Sequence, residues 1–247
     1  MRPVEKWAVE SCHTGPEGKP IVVKEDYDPY RTAKPILCKN LGEYCSYCER
    51  SLASGDLDVE HVQPKSLPKY AALETKWDNF LLGCRPCNEW VKKKKDVVLA
   101  DVHLPHRNNT FKSLVYKEGG VVIVNPALTS PAKEHAENLI KLVELDFEPD
   151  VPKDGGRNQK RRDTWDKAIK WHENYQEGKI DADSVIDYVK SKGGWSIWFT
   201  VFNNHDTRDD EVRRRLIKDF PGTAEKCFDE DNHYEPLDRN PGKTDPV

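Results

Sequence analysis

The chain contains no run of about 18 consecutive apolar residues, so its sequence gives no helix able to cross a bilayer. Its opening stretch, Met1-Arg2-Pro3-Val4-Glu5-Lys6-Trp7, lacks the apolar core of a secretion signal, and a cytoplasmic protein is the expectation. A large excess of positive charge is also missing. The formal net charge is −4, which argues against a simple basic protein that coats nucleic acid. Internal repeats are absent. The seven cysteines are an odd number in a chain of 247 residues, unlike the even counts of short secreted disulfide scaffolds. Hydrophobic residues make up 36% and charged residues 33%, yet seven Trp, nine Tyr and seven Phe are enough to seed a core. The length suits one large domain or two small ones.

Four of the cysteines form two Cys-x-x-Cys pairs, Cys45–Cys48 and Cys84–Cys87. In a reducing compartment such pairs serve more often as metal ligands than as disulfides. Zinc takes four ligands in a tetrahedron, and each Cys-x-x-Cys turn presents two sulfurs to one side of the ion. Thirty-five residues separate Cys48 from Cys84, and closing that loop with metal replaces part of a missing core. Four thiolates leave no open position, so the expected Zn²⁺ is structural. Cys12, Cys38 and Cys227 fall outside this pattern and read as buried or idle thiols.

Between the pairs lie Glu60 and His61, and Asn88 directly follows the second pair. Residues 56–62 read as a short strand and 85–91 as the start of a helix. Neighbours on a strand point to opposite faces. A strand and a helix pinned together by zinc can bring Glu60 and Asn88 onto one cation. Oxygen ligands favour a hard ion such as Mg²⁺ or Mn²⁺. His61, with an ordinary pKa of about 6.5, is then free to act as general base on a water molecule. A lone Glu-His pair would carry no such weight; the zinc frame and the spacing to Asn79 and Asn88 give it meaning.

These residues resemble the HNH endonucleases of ββα-metal fold. The matching pattern is Cys45-x-x-Cys48, Glu60-His61-Val62-Gln63-Pro64, Trp77-x-Asn79 and Cys84-Arg85-Pro86-Cys87-Asn88, about 45 of the 247 residues. The resemblance implies that His61 is the general base, Glu60 the metal-binding acid before it, Asn79 the middle asparagine that holds the loop and the histidine, and Asn88 the last metal ligand. Many members carry histidine at that last position. The amide oxygen of Asn88 favours Mg²⁺ or Mn²⁺ over zinc there.

Three further segments, residues 1–4, 41–49 and 59–65, resemble the HNH proteins of Septu-type and retron-linked anti-phage systems, called PtuB. That resemblance implies a partner ATPase of the ABC/SMC type (PtuA-like) and a hetero-oligomeric complex acting on DNA. Two alternatives stand beside it: a restriction-type HNH endonuclease outside such a complex, and a zinc-stapled DNA- or protein-binding module without catalysis. The intact trio Glu60, His61 and Asn88 favours an enzyme over a binding module.

Charge is patchy. Lys92, Lys93, Lys94 and Lys95 follow the motif directly and are the candidate phosphate contacts. Arg157, Lys160, Arg161 and Arg162 form a second basic cluster, and Arg213, Arg214 and Arg215 a third. From Cys45 to Lys95 there are nine Lys/Arg and seven Asp/Glu, a balance of +2 that four thiolates on Zn²⁺ offset. DNA affinity rises with the number of phosphates neutralised, so this segment alone should bind DNA weakly. That fits a nuclease working inside a complex.

The fold class expected is α+β, an HNH core stapled by zinc with a mostly helical C-terminal region. Residues 1–40 read as an N-terminal extension with a short helix near 29–40, 41–150 as the nuclease domain, 151–234 as the helical region and 235–247 as a disordered tail rich in proline. Pro149 to Gly156 is the best linker candidate. Gly119-Gly120 followed by Val121–Val124 reads as a turn and a buried strand, and 131–142 as a helix. Trp165, Ile169, His172 and Tyr175 recur at helical spacing, and Asp183 is a candidate N-cap for the next helix. Trp195–Phe202 is a dense apolar stretch, helix or strand, read as core with partner binding as the alternative. His103, His106, His135, His172, His205 and His233 read as surface, loop or helix-face residues, and His13 beside Cys12 offers an extra metal site only as an alternative.

Overall fold

The computed structural model describes residues 1–146, 155–203 and 206–247. Most of the linker candidate, residues 149–154, and His205 lie outside the described residues. The architecture is mixed α+β. Its strands pair only two by two, as four small antiparallel hairpins among the described residues. No helix among them is long and apolar enough to cross a membrane.

The first hairpin joins β1 (Cys12–Thr14) and β2 (Pro20–Val22). Helix α1 (Lys34–Leu41) follows, near the position its sequence indicates, and ends at Gly42. The central hairpin is β3 (Leu57–His61) with β4 (Phe80–Cys84), in the register Leu57 opposite Cys84, Glu60 opposite Leu81 and His61 opposite Phe80. Directly opposed residues share a face. One face therefore carries Asp58, Glu60, Leu81 and Gly83, and the other carries Leu57, Val59, His61, Phe80, Leu82 and Cys84. All five β4 residues are buried, so both faces of this hairpin are covered.

The chain then enters a π-helix over Pro86–Lys92. Its closing hydrogen bond runs from Lys93 N to Asn88 O at 2.8 Å, five residues apart. This wider turn brings Cys87, Val91 and Lys92 inward together, and all three are buried. Lys93 ends the helix in a left-handed conformation.

The short helix α2 (Thr110–Ser113) leads into β5 (Leu114–Lys117), paired with β6 (Val121–Val124). Only Val122 of the four β6 valines and isoleucine is fully buried, and Val121 is exposed, so β6 is half-solvated rather than enclosed. Helix α3 (Ala132–Val143) then packs on β6.

Four helices fill the C-terminal part: α4 (Arg157–Gln176), α5 (Ala182–Lys192), α6 (Trp195–Val201) and α7 (Thr207–Lys218). The N-cap of α5 is Asp181, whose side chain accepts from Ser184 N at 2.8 Å, two residues before the candidate Asp183. On α4 the buried face carries Arg157, Arg161, Thr164, Ala168 and Tyr175, not Ile169, which is exposed. The two arginines are buried because they cap carbonyl groups. Arg157 Nη1 donates to Val143 O at 2.8 Å, and Arg161 Nε donates to Gly120 O at 3.1 Å. They are therefore not part of a basic surface. Arg213, in the third basic cluster, is likewise buried.

Helix α6 settles the apolar stretch as helical core. Trp195, Ile197, Trp198, Phe199 and Phe202 are all at most 2% exposed, and Trp195 stacks on Phe199 at 4.7 Å between ring centroids. This leaves no apolar face there for a partner.

The turn between α5 and α6 meets the chain just after Cys48. Gly193 has φ of +77°, and a Cβ there would lie 2.1 Å from Glu49 O, so only glycine fits. Glu49 is buried. Its carboxylate accepts from Ser196 N at 2.8 Å and Ser196 Oγ at 2.6 Å, and from Arg2 N. Arg2, the first Cys-x-x-Cys turn and the start of α6 thus pack together around the Glu49 carboxylate.

Residues 235–247, whose prolines suggest a disordered tail, make hydrogen bonds to the rest of the chain: Arg239 donates to the Pro105 and Val4 carbonyls, each at 2.9 Å. A short hairpin pairs β7 (Phe228–Asp229) with β8 (Glu235–Pro236). Val247 is buried, and its carbonyl accepts from Asn108 Nδ2 and Asn240 Nδ2, each at 3.0 Å.

Candidate functional site

The turn before β3, the end of β4 and the start of the π-helix carry Cys45, Cys48, Cys84 and Cys87. All four are buried, with their sulfurs within 4.8 Å of one another. Cys48 Sγ and Cys84 Sγ are 3.6 Å apart, close to the edge of about 3.8 Å expected of a tetrahedron with Zn–S bonds of about 2.3 Å. Burial opposes ionisation of Cys45, yet S–H donation from Cys48, Cys84 and Cys87 holds its thiol well below the usual range. That sulfur in turn pushes Cys48 and Cys87 well above it. One cation that replaces the shared protons resolves the competition, so the donor set fits zinc. The guanidinium of Arg157 donates to Cys87 Sγ at 3.4 Å and offsets the negative charge of such a centre.

Glu60 stands on the Gly83 face of the central hairpin. A Cβ at Gly83 would lie 3.1 Å from Glu60 Cβ and 3.3 Å from Asn88 Cβ. Gly83 thus leaves open the space that Glu60 and Asn88 flank. Asn88 is half-buried, Glu60 only 1% exposed. Lys92 Nζ lies 2.7 Å from Glu60 Oε1 and donates to the backbone carbonyl of His61 at 2.7 Å. Tyr47 Oη donates to the same Oε1 at 3.1 Å. Burial pushes the Glu60 carboxyl up, and Lys92 pulls it back down. The oxygen donors of Glu60 and Asn88 are of the type a hard cation takes, with the Lys92 ammonium already on one Glu60 oxygen.

His61 points to the other face, at the end of β3. Its ring packs edge-on against Phe80 at 5.2 Å and against Tyr30 at 4.8 Å. Nε2 is 2.9 Å from the Glu74 carbonyl. A carbonyl only accepts, so Nε2 carries the hydrogen and the neutral ring keeps a lone pair on Nδ1. Burial lowers the His61 pKa from its ordinary 6.5, and the Glu74 carbonyl works against that.

Asn79 holds the loop that supplies this carbonyl. Its Oδ1 accepts from Gln63 N at 2.8 Å, and its Nδ2 donates to Gln63 O at 3.0 Å and Leu73 O at 3.2 Å. Its own carbonyl accepts from Val62 N.

The four lysines separate. Lys92 is 1% exposed and sits on Glu60, out of reach of a phosphate. Lys95 donates to the Lys141 and Leu142 carbonyls and to Glu144 Oε1, at the C-terminus of α3. Of the four, only Lys93 and Lys94 are exposed. The roles of Tyr47, Gly83 and Arg157 are absent from the sequence reading. Tyr47 lies inside a Cys-x-x-Cys turn, and Gly83 alternates with Leu81 on β4, two signals that could have found them.

A family model described as HNH endonuclease matches residues 45–94. No curated protein matches the chain.

Proposed function

We propose that this protein is a metal-dependent HNH endonuclease that hydrolyses phosphodiester bonds of DNA, with His61 as general base. The observation that carries this reading is the pairing of His61 Nε2 with the Glu74 carbonyl, which leaves Nδ1 as the basic nitrogen. In this reading Nδ1 takes a proton from the attacking water. The Glu74 carbonyl then stabilises the imidazolium that forms, while Phe80 and Tyr30 fix the ring plane. Asn79 keeps residues 63–73, and with them the carbonyl side of the histidine, in place. Glu60 and Asn88 would hold a Mg²⁺ or Mn²⁺ ion, which supplies charge stabilisation for the phosphate and the leaving 3′ oxygen. Lys93 and Lys94 are the lysines left to meet the phosphate backbone.

The resemblance to PtuB and the near-neutral charge of the motif support a nuclease effector of an anti-phage complex, with an ABC/SMC-type ATPase supplying further DNA contacts. One observation favours a second reading: the buried Glu60–Lys92 pair would suit a zinc-stapled binding module that has no catalytic cation.

Plasmid cleavage with Mg²⁺ or Mn²⁺ separates them, comparing wild type with His61→Ala, each with and without an added ABC/SMC-type ATPase of the PtuA kind. Nicking that vanishes in His61→Ala supports the nuclease, and dependence on the ATPase supports the complex. Zinc-loaded, folded protein that cuts under no condition supports the binding module.

A further inference from the structure

His103, His135 and Asp245 come from three distant parts of the chain. His103 lies in the loop before α2, His135 on α3, and Asp245 in the final segment. One ring nitrogen of each histidine and a carboxylate oxygen of Asp245 lie within 4.8 Å of one another. His103 Nε2 is 2.7 Å from Asp245 Oδ2, and His135 Nδ1 is 2.5 Å from the same oxygen.

The Asp245 carboxylate only accepts, so without a metal His103 Nε2 and His135 Nδ1 each donate to Oδ2, and Ser113 Oγ, 2.8 Å away, donates to His103 Nδ1. A cation that displaces those two ring hydrogens would meet both imidazole nitrogens and the carboxylate oxygen at once. The Ser113 hydroxyl, which can turn to the Asn109 carbonyl at 3.3 Å, would then accept from His103 Nδ1–H, the far-nitrogen partner that metal-bound imidazoles keep.

We propose that His103, His135 and Asp245 form a second metal site, of the two-imidazole, one-carboxylate type, that takes Zn²⁺. Nitrogen and oxygen ligands at about 2.0–2.1 Å from a tetrahedral ion are about 3.3 Å apart. His103 Nε2 and His135 Nδ1 reach that spacing from Asp245 Oδ2 by moving out by roughly 0.6 and 0.8 Å. The three residues line a cleft of about 820 Å³, which leaves the remaining coordination position open to water. His106 lines the same cleft, and its buried Nδ1 has no hydrogen-bond partner among the described residues. The ion would tie the final segment to α3 and to the loop before α2. This site shares no residue with the cysteine centre and does not depend on the nuclease reading.

The test is metal stoichiometry on the full chain. Protein stripped of metal, reloaded with excess Zn²⁺ and passed over a desalting column is assayed by mass spectrometry for zinc per chain. Wild type should hold about two equivalents, and His135→Gln and Asp245→Asn about one each. The same variants loaded with Co²⁺ should keep the sulfur-to-metal charge-transfer absorption of the cysteine centre, which shows that they fold. Their cobalt spectra should lose only the weaker component from nitrogen and oxygen ligands. Wild type that holds about one equivalent overturns the proposal. So do variants that retain both ions.

Discussion

Lys92 Nζ sits 2.7 Å from Glu60 Oε1, with both side chains 1% exposed. The ammonium stands where a metal-binding carboxylate would meet its cation, and it also holds the His61 carbonyl. The π-helical turn makes this possible by swinging residue 92 under the hairpin, where an α-helix would direct it differently.

Removing the ammonium leaves a buried carboxylate uncompensated, a loss of about 3–5 kcal/mol when one partner of a buried pair is deleted. Lys92→Met should therefore melt lower than wild type in the absence of added metal. Mn²⁺ should restore more stability to the variant than to wild type, because it takes over the charge on Glu60. Thermal melts with and without Mn²⁺ check this. Equal shifts in both proteins would show that Glu60 meets no metal.

The pH dependence follows from the lowered pKa of His61. Burial disfavours the imidazolium in the folded state. The neutral form is thus favoured, its contribution to stability is complete above the ordinary 6.5, and it is lost as pH falls through the lower folded value. His61, the proposed base, is also favoured in its deprotonated form at neutral pH. Cleavage should hold its rate as pH drops to 6.5 and fall only below it. A pH profile of single-turnover nicking reads this limb; a midpoint above 6.5 would contradict it.

Asn79 makes three side-chain hydrogen bonds to the 63–73 loop. Asn79→Ala should cost about 1–3 kcal/mol of stability through the unpaired backbone groups it leaves. It should also lower kcat more than it raises KM, since the base is misplaced while DNA contacts remain. Steady-state kinetics beside a denaturant melt would show both.

The cysteine centre closes a long loop, so a strong chelator should abolish cooperative melting rather than merely lower any cleavage activity. Arg157→Gln should keep zinc but release it to the chelator faster, because the donor to Cys87 Sγ is weakened. Zinc release followed by a colorimetric indicator gives the rates.

The cysteine spacing, the alternation of Glu60 and His61 along β3, and the helix after Cys87 are legible in the sequence, because local spacing dictates them. The fate of Lys92 is not, because a charge run reads as solvated until a wide helical turn buries one member. The same holds for Arg157 and Arg161, whose buried guanidiniums answer to carbonyls that no local pattern reveals. His103, His135 and Asp245 are separated by more than thirty and more than a hundred residues, so only the fold brings them together. The contacts of the final segment are hidden for a related reason: Arg239 donates to the Val4 and Pro105 carbonyls and Asn108 Nδ2 to the Val247 carbonyl, pairings that no local pattern reveals.

The most direct measurement is the DNA-nicking rate of His61→Ala in Mg²⁺ or Mn²⁺, with zinc content and melting temperature taken on the same preparation. A general base contributes roughly a hundredfold to ten-thousandfold, so the rate should fall by at least about a hundredfold while zinc and melting stay at wild-type values. An unchanged nicking rate in that folded, zinc-loaded variant would contradict the assignment of His61 as the base.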